Sequence, residues 1–210
     1  MKQLQNTTMI YIPGLFDHVN WVDWLQRRAL KTWTKFGGSP EVFTIGWADE
    51  SDFDPRLDAL CERILELRAQ GRQVALIGAS AGASAVVGAL ARLEPEISAA
   101  VIICGKVHRP QIVPDFVLEA NEVFDDALDD TQSALEELTD EAHYKMVSLR
   151  SAFDAIVPPR DSIIPDARNI RMPMIGHIAG IGYALLRYGK YIVQFCLEKE
   201  KLPPFKPNGD

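Results

Sequence analysis

The sequence predicts an α/β protein, a three-layer α/β/α sandwich built on a mainly parallel sheet of about six strands. Three observations carry that expectation. Six short apolar runs rich in β-branched residues recur along the chain, each suited to a strand covered on both faces. Segments of helical periodicity lie between them. No hairpin signal joins successive runs, so right-handed crossovers and parallel pairing follow. With 210 residues, 47% of them apolar, one domain spanning 1–210 can bury a sizeable core.

The first strand is TTMIYI. In NWVDWLQRRALKTWTKF, residues Trp21, Trp24, Leu25 and Trp33 gather towards one side at helical spacing as packing residues, and Gly37 and Gly38 stop the helix. EVFTIGW is the second strand. Asp54 and Pro55 then open a helix with a buried stripe of Leu57, Leu60, Cys61, Ile64 and Leu65, leaving Arg63 and Arg68 in solvent. QVALIG runs into the helix-compatible AGASAVVGALARL, and AAVIIC is the fourth strand. The stretch 105–144 before the fifth strand, YKMVSL, is about twice as long as one crossover helix requires. It is expected to be an acidic helical insertion. Phe116, Ala120, Val123, Phe124, Ala127 and Leu128 form a helical stripe there, and eleven acidic residues fall between Asp115 and Glu141 without one lysine or arginine. An amphipathic helix pair with a solvated face and a flap over a site both fit. NIRMPMI is the last strand, and the apolar segment 178–197 carries Arg187 and Lys190, which suit a soluble helix better than a bilayer.

A formal charge of −7 and a pI near 5.2 disfavour nucleic acid or anionic membrane as partners, because both repel an acidic chain. A small neutral or apolar substrate suits it better. Cys61, Cys104 and Cys196 are widely spaced among apolar residues, which favours free thiols over a disulfide framework or a metal site. With no secretory signal visible at the N-terminus, a reducing cytoplasmic location is expected. No metal and no cofactor are expected.

Chemistry concentrates in LIGASAGAS, where Gly-Ala-Ser occurs twice. Ser80 stands in Gly78-Ala79-Ser80-Ala81-Gly82, a G-x-S-x-G between a strand and a helix. Such a sharp turn strains the serine backbone, and larger side chains two positions away would clash. Ser84 has Val86 two places on and lies a turn inside the helix, its hydroxyl free to bond a backbone carbonyl. Ser80 is therefore the candidate nucleophile, although the same small residues would also serve close helix-to-sheet packing.

A serine hydroxyl needs a base, and the base an acid, which in this strand-turn-helix context follow in the order serine, acid, histidine. His177 alone follows the last strand and is the candidate base; His18 could line the site, while His108 and His143 fall around the acidic insertion. Asp154, just after YKMVSL and before Pro158-Pro159, is the candidate acid, preferred by position to Asp161 and Asp166, which read as helix-end or turn residues. The oxyanion donors would be the Ala81 and Leu15 amides, with Phe16 as the fallback. Leu15, Phe16, Ile156, Val157 and Ile178 flank these loops as candidates for an apolar substrate pocket, and each would serve equally as core.

Ser80, Asp154 and His177, in that order on alternating strands and helices, resemble the α/β-hydrolase superfamily over nearly the whole chain. FDAIVPP, PDARNIRM and GHIAGI are similar to the acid loop, last strand and histidine loop of its compact bacterial lipases and esterases. Two leading antiparallel strands of the fuller pattern have no counterpart, which implies a minimal α/β-hydrolase fold. Pro13 stands where many relatives carry a histidine before the oxyanion glycine. The resemblance implies a serine hydrolase acting on small-molecule esters of short to medium acyl chain. A thioesterase, an acyltransferase and a non-catalytic binding protein of the same fold are the alternatives.

Overall fold

The computed structural model describes residues 6–15, 19–47, 52–108 and 122–197. In chain order these form β1 (Thr7–Ile12), α1 (Asn20–Lys31), β2 (Ser39–Val42), α2 (Phe53–Ala69), β3 (Gln73–Ala79), α3 (Gly82–Leu93) and β4 (Ile97–Ile103). Then come α4 (Glu122–Glu137), α5 (Asp140–Tyr144), β5 (Met146–Phe153), β6 (Arg168–Ile175), α6 (His177–Arg187) and α7 (Gly189–Leu197). The six strands form one sheet in the order β2-β1-β3-β4-β5-β6, and every neighbouring pair is parallel.

Alternation along the strands divides the core into two layers. Ile10, Ile12, Leu76, Ala100 and Ile102 point to the face covered by α2, α3 and α4. Met9, Tyr11, Ile77, Val101 and Ile103 point to the opposite face, with residues of α1, α6 and α7. The strand order reverses between β1 and β3, leaving a crevice at their C-terminal ends.

Several elements differ from the sequence expectation for physical reasons. The second strand covers 39–42 rather than 41–47: it is an edge strand, so Pro40 lacks no needed ladder bond, and beyond Val42 the chain leaves the sheet to bury Ile45 and Trp47. Full cover on both faces also fails at the edges, where β2 is half-buried throughout and β6 fully buries only Met172. On α2 the buried stripe is Phe53, Leu57, Leu60, Ile64 and Leu67; Leu65, one residue off that phase, is exposed. Arg63 and Arg68 are ion-paired, with Glu41 and Glu96 respectively.

The α1 segment ends at Lys31 and tightens into a 3-10 turn that closes at Gly37, whose φ of 88° only glycine adopts freely. Trp33 alone of its tryptophans is core, donating its indole N–H to the Leu185 carbonyl at 2.8 Å, whereas Trp21 is 60% exposed and Trp24 58%. Within 105–144, Phe116 and Ala120 lie outside the described residues. Phe124, Ala127 and Leu128 are buried among the residues of α2 and α3, and Thr139 caps α5 by accepting the Ala142 N–H. No described helix is long and apolar enough to cross a membrane.

The loop after β4 is fastened to the turn after β5 by a buried ion pair. Lys106 Nζ lies 2.6 Å from Asp161 Oδ2, the Val107 N–H donates to the Asp161 carbonyl, and Ser162 Oγ donates to the Gly105 carbonyl. Among the described residues, Lys106→Met would leave Asp161 with only the exposed Arg160 at 3.5 Å as a cationic partner. Urea denaturation should show a loss of about 3 kcal/mol, partly restored by Lys106→Met combined with Asp161→Leu.

Candidate active site

At the C-terminal end of β3 the chain turns directly into α3, and Ser80, at the corner, adopts φ 52°. A non-glycine residue in this left-handed region carries about 1–3 kcal/mol of strain, so the surroundings must enforce it. They do so with backbone bonds: the Ser80 N–H donates to the Ile103 carbonyl at 3.0 Å, and its own carbonyl accepts from Ala83 at 3.1 Å. Contact leaves no alternative nearby. A Cβ on Gly78 would sit 2.5 Å from the Gly82 carbonyl oxygen, and one on Gly82 would strike the Ile12 carbonyl.

His177 opens α6 immediately after β6, where Gly176, at φ 95°, turns the chain back over the strand ends. Its Nε2 is 2.8 Å from Ser80 Oγ and its Nδ1 is 2.8 Å from Asp154 Oδ2. An ionised carboxylate can only accept, so Nδ1 carries the proton and Nε2 is left to accept from the serine hydroxyl. Asp154, at the end of β5, is buried, and its other oxygen accepts the Ile156 and Val157 N–H groups at 2.9 Å each. Burial raises its pKa, but the hydrogen bonds from His177, Val157 and Ile156 outweigh that and hold the carboxyl below its ordinary range.

The loop after β1 lies against the serine: a Cβ on Gly14 would fall 2.7 Å from Ser80 Cβ and 3.2 Å from Oγ. Trp47 braces this loop by donating its indole N–H to the Pro13 carbonyl at 3.1 Å, so proline there costs it no support. Neither the Leu15 nor the Ala81 amide is hydrogen-bonded to another described residue.

From Ser80 a cavity of about 440 Å³ extends between α1 and α6. Leu15, Ile156 and Ile178 line it, as the sequence suggested, but Val157 does not: its side chain is buried and its amide serves Asp154. Phe16 and His18 lie outside the described residues. Of the other histidines, His108 is tied to the Ile163 carbonyl at 2.7 Å and His143 lies in α5. Asp161 belongs to the buried pair with Lys106, and Asp166 is an exposed turn residue. Ser84 is fully buried, yet its hydroxyl has no hydrogen-bond partner among the described residues, carbonyl or otherwise.

Sequence reasoning missed two groups. Trp21 and Leu25, taken as packing residues, line the cavity; their pairing at i and i+4 was visible, but not the open side they face. Ser151 Oγ donates to the Gly176 carbonyl at 3.1 Å, bracing the turn that presents His177. A lone serine inside a strand gives no signal of such a role.

No family model and no curated protein matches the chain. Solved structures do. A structure of the metagenome-derived lipolytic enzymes LipS and LipT matches with a TM-score of 0.65 at 11% identity, over 90% of this chain and 91% of that one. Est1E from Butyrivibrio proteoclasticus matches at 0.65 and 14%, over 93% and 89%. The monoacylglycerol lipase of Paleococcus ferrophilus matches at 0.62 and 12%, over 90% and 93%. The chain has the α/β-hydrolase fold.

The lowered Asp154 pKa has a consequence for stability. Because the folded value lies below the unfolded one of about 3.9, the stabilisation is complete above that pH and is lost as pH falls through the folded value. Urea midpoints measured from pH 7 to pH 2 should therefore drop more steeply for the wild type than for Asp154→Asn. Parallel curves would contradict this origin of the stabilisation.

Proposed function

We propose that the protein is a serine hydrolase that cleaves carboxylic esters of short to medium acyl chain through an acyl-enzyme. The observation that carries this reading is the unbroken chain of contacts from Ser80 Oγ through His177 to Asp154, 2.8 Å at each step. The lipolytic enzymes and the monoacylglycerol lipase of the same fold support the ester class.

In this mechanism His177 Nε2 takes the Ser80 proton as Oγ adds to the ester carbonyl. Asp154 holds the imidazole in the required tautomer and stabilises the imidazolium. The negative charge that develops on the carbonyl oxygen is met by the Leu15 and Ala81 amides, each worth a rate factor of about 10² to 10³. Collapse of the tetrahedral species expels the alcohol, which receives its proton from His177. Water, deprotonated by the same nitrogen, then attacks the acyl-Ser80 ester, and release of the acid restores the serine. Apolar walls beside Ser80, including Leu15, Ile156 and Ile178, favour an apolar substituent on the ester.

A fluorophosphonate probe should label the wild type and Ser84→Ala, and should not label Ser80→Ala. Labelling of Ser80→Ala at the wild-type level would refute the assignment. On p-nitrophenyl butyrate, Asp154→Asn should lower kcat by about 10⁴, because the histidine loses its enforced tautomer.

A further inference from the structure

Helix α6 has two glycines, Gly180 and Gly182, on different faces, and they differ in what surrounds them. A Cβ on Gly180 would strike Ser151 Oγ and lie 3.0 Å from Cys104 Sγ, so close packing explains that glycine. A Cβ on Gly182 would meet nothing within 4 Å, yet Gly182 lines the cavity. Its backbone is helical, and glycine is the poorest helix former after proline, so neither packing nor conformation accounts for it.

The cavity has two fixed ends. At one, Gly14, Ser80 and His177 meet; at the other, the bond from Trp33 to the Leu185 carbonyl holds the 3-10 turn after α1 beside the end of α6. The ten residues from His177 to Leu186 place these ends about 13.5 Å apart, with Gly182 about 7.5 Å along. Val22, Leu25 and Ala29 form one wall, and Ile178, Ile181 and Leu185 the other. Besides His177, Arg28 is the only lining residue of ionisable type among those described; it lies in the last turn of α1, its guanidinium over the Trp24 ring. A volume of about 440 Å³ drawn out over this length is a passage for a chain rather than a compact group.

Building on the hydrolase reading above, we infer that the groove between α1 and α6 holds a straight alkyl chain of the ester, and that Gly182 keeps the passage open beyond the first turn of α6. Either the acyl or the alcohol part of the ester supplies that chain. The part that enters the groove gains about fourfold in kcat/KM per methylene until it outgrows the groove, where Arg28 and Thr32 end the apolar walls.

The test uses two series, p-nitrophenyl esters of straight-chain acids from acetate to hexadecanoate and acetates of straight-chain alcohols of matching lengths. Each is assayed with the wild type, Gly182→Ala and Gly182→Leu. In the series whose chain occupies the groove, Gly182→Leu should lower the kcat/KM ratio of the eight-carbon to the two-carbon member at least tenfold, and Gly182→Ala should lower it less. Both variants should melt no lower than the wild type, since open space receives the new side chain, and fluorophosphonate labelling shows whether the serine site is assembled. Labelled Gly182→Leu with wild-type ratios in both series would overturn the groove assignment. A wild type that neither labels nor cleaves any ester overturns the hydrolase reading, and the groove assignment with it.

Discussion

The close approach of three backbone segments around Ser80 is the constraint on which the rest of the structure depends. The turn out of β3 leaves no room for a side chain at Gly78 or Gly82, and the loop after β1 leaves none at Gly14. At each of the three at least one clash would be with main chain or with Ser80 itself, so no rotamer change could relieve it. The first turn of α3 is thereby pressed against the end of β1. The order of the sheet follows the same logic, since β1 and β3 must be neighbours for their loops to meet over one serine.

The polar part of the site balances burial against hydrogen bonding. Asp154 is taken out of water, which disfavours its charge, and is repaid by three donors, the imidazole and two amides of its own loop. That loop is short and local, which makes the carboxylate rigid. His177 is positioned from behind as well, because Ser151 holds the carbonyl of the residue before it and the Gly180 N–H bonds that same carbonyl. The geometry of the Ser80–His177–Asp154 array thus rests on β3, β5 and β6 together rather than on any one loop.

The features legible in the sequence were those set by neighbours in the chain. Strand runs such as QVALIG, the helix start at Asp54 and Pro55, and the contrast between Gly82 and Val86 that separates Ser80 from Ser84 are local patterns, and the structure reproduces the elements they mark. Features set by distant segments were not legible. The second strand was displaced because its edge position depends on where β1 lies. Trp21 and Trp33 occupy the same segment with the same apparent periodicity, yet only contact with Leu185, 152 positions from Trp33, distinguishes core from cavity wall. The Lys106–Asp161 pair spans 55 positions and leaves no pattern at either end.

The two outer strands have a consequence for self-association. An exposed edge offers unpaired amides and carbonyls to any strand that comes beside it, and a second copy of the same chain is always at hand. Here β2 is only four residues long and carries Pro40, which has no amide hydrogen to offer. On the opposite edge, β6 carries Arg168 and Arg171, both exposed, so two such edges brought together would repel. Growth of the sheet from one molecule into the next is discouraged at both margins, by a missing donor at one and by like charge at the other.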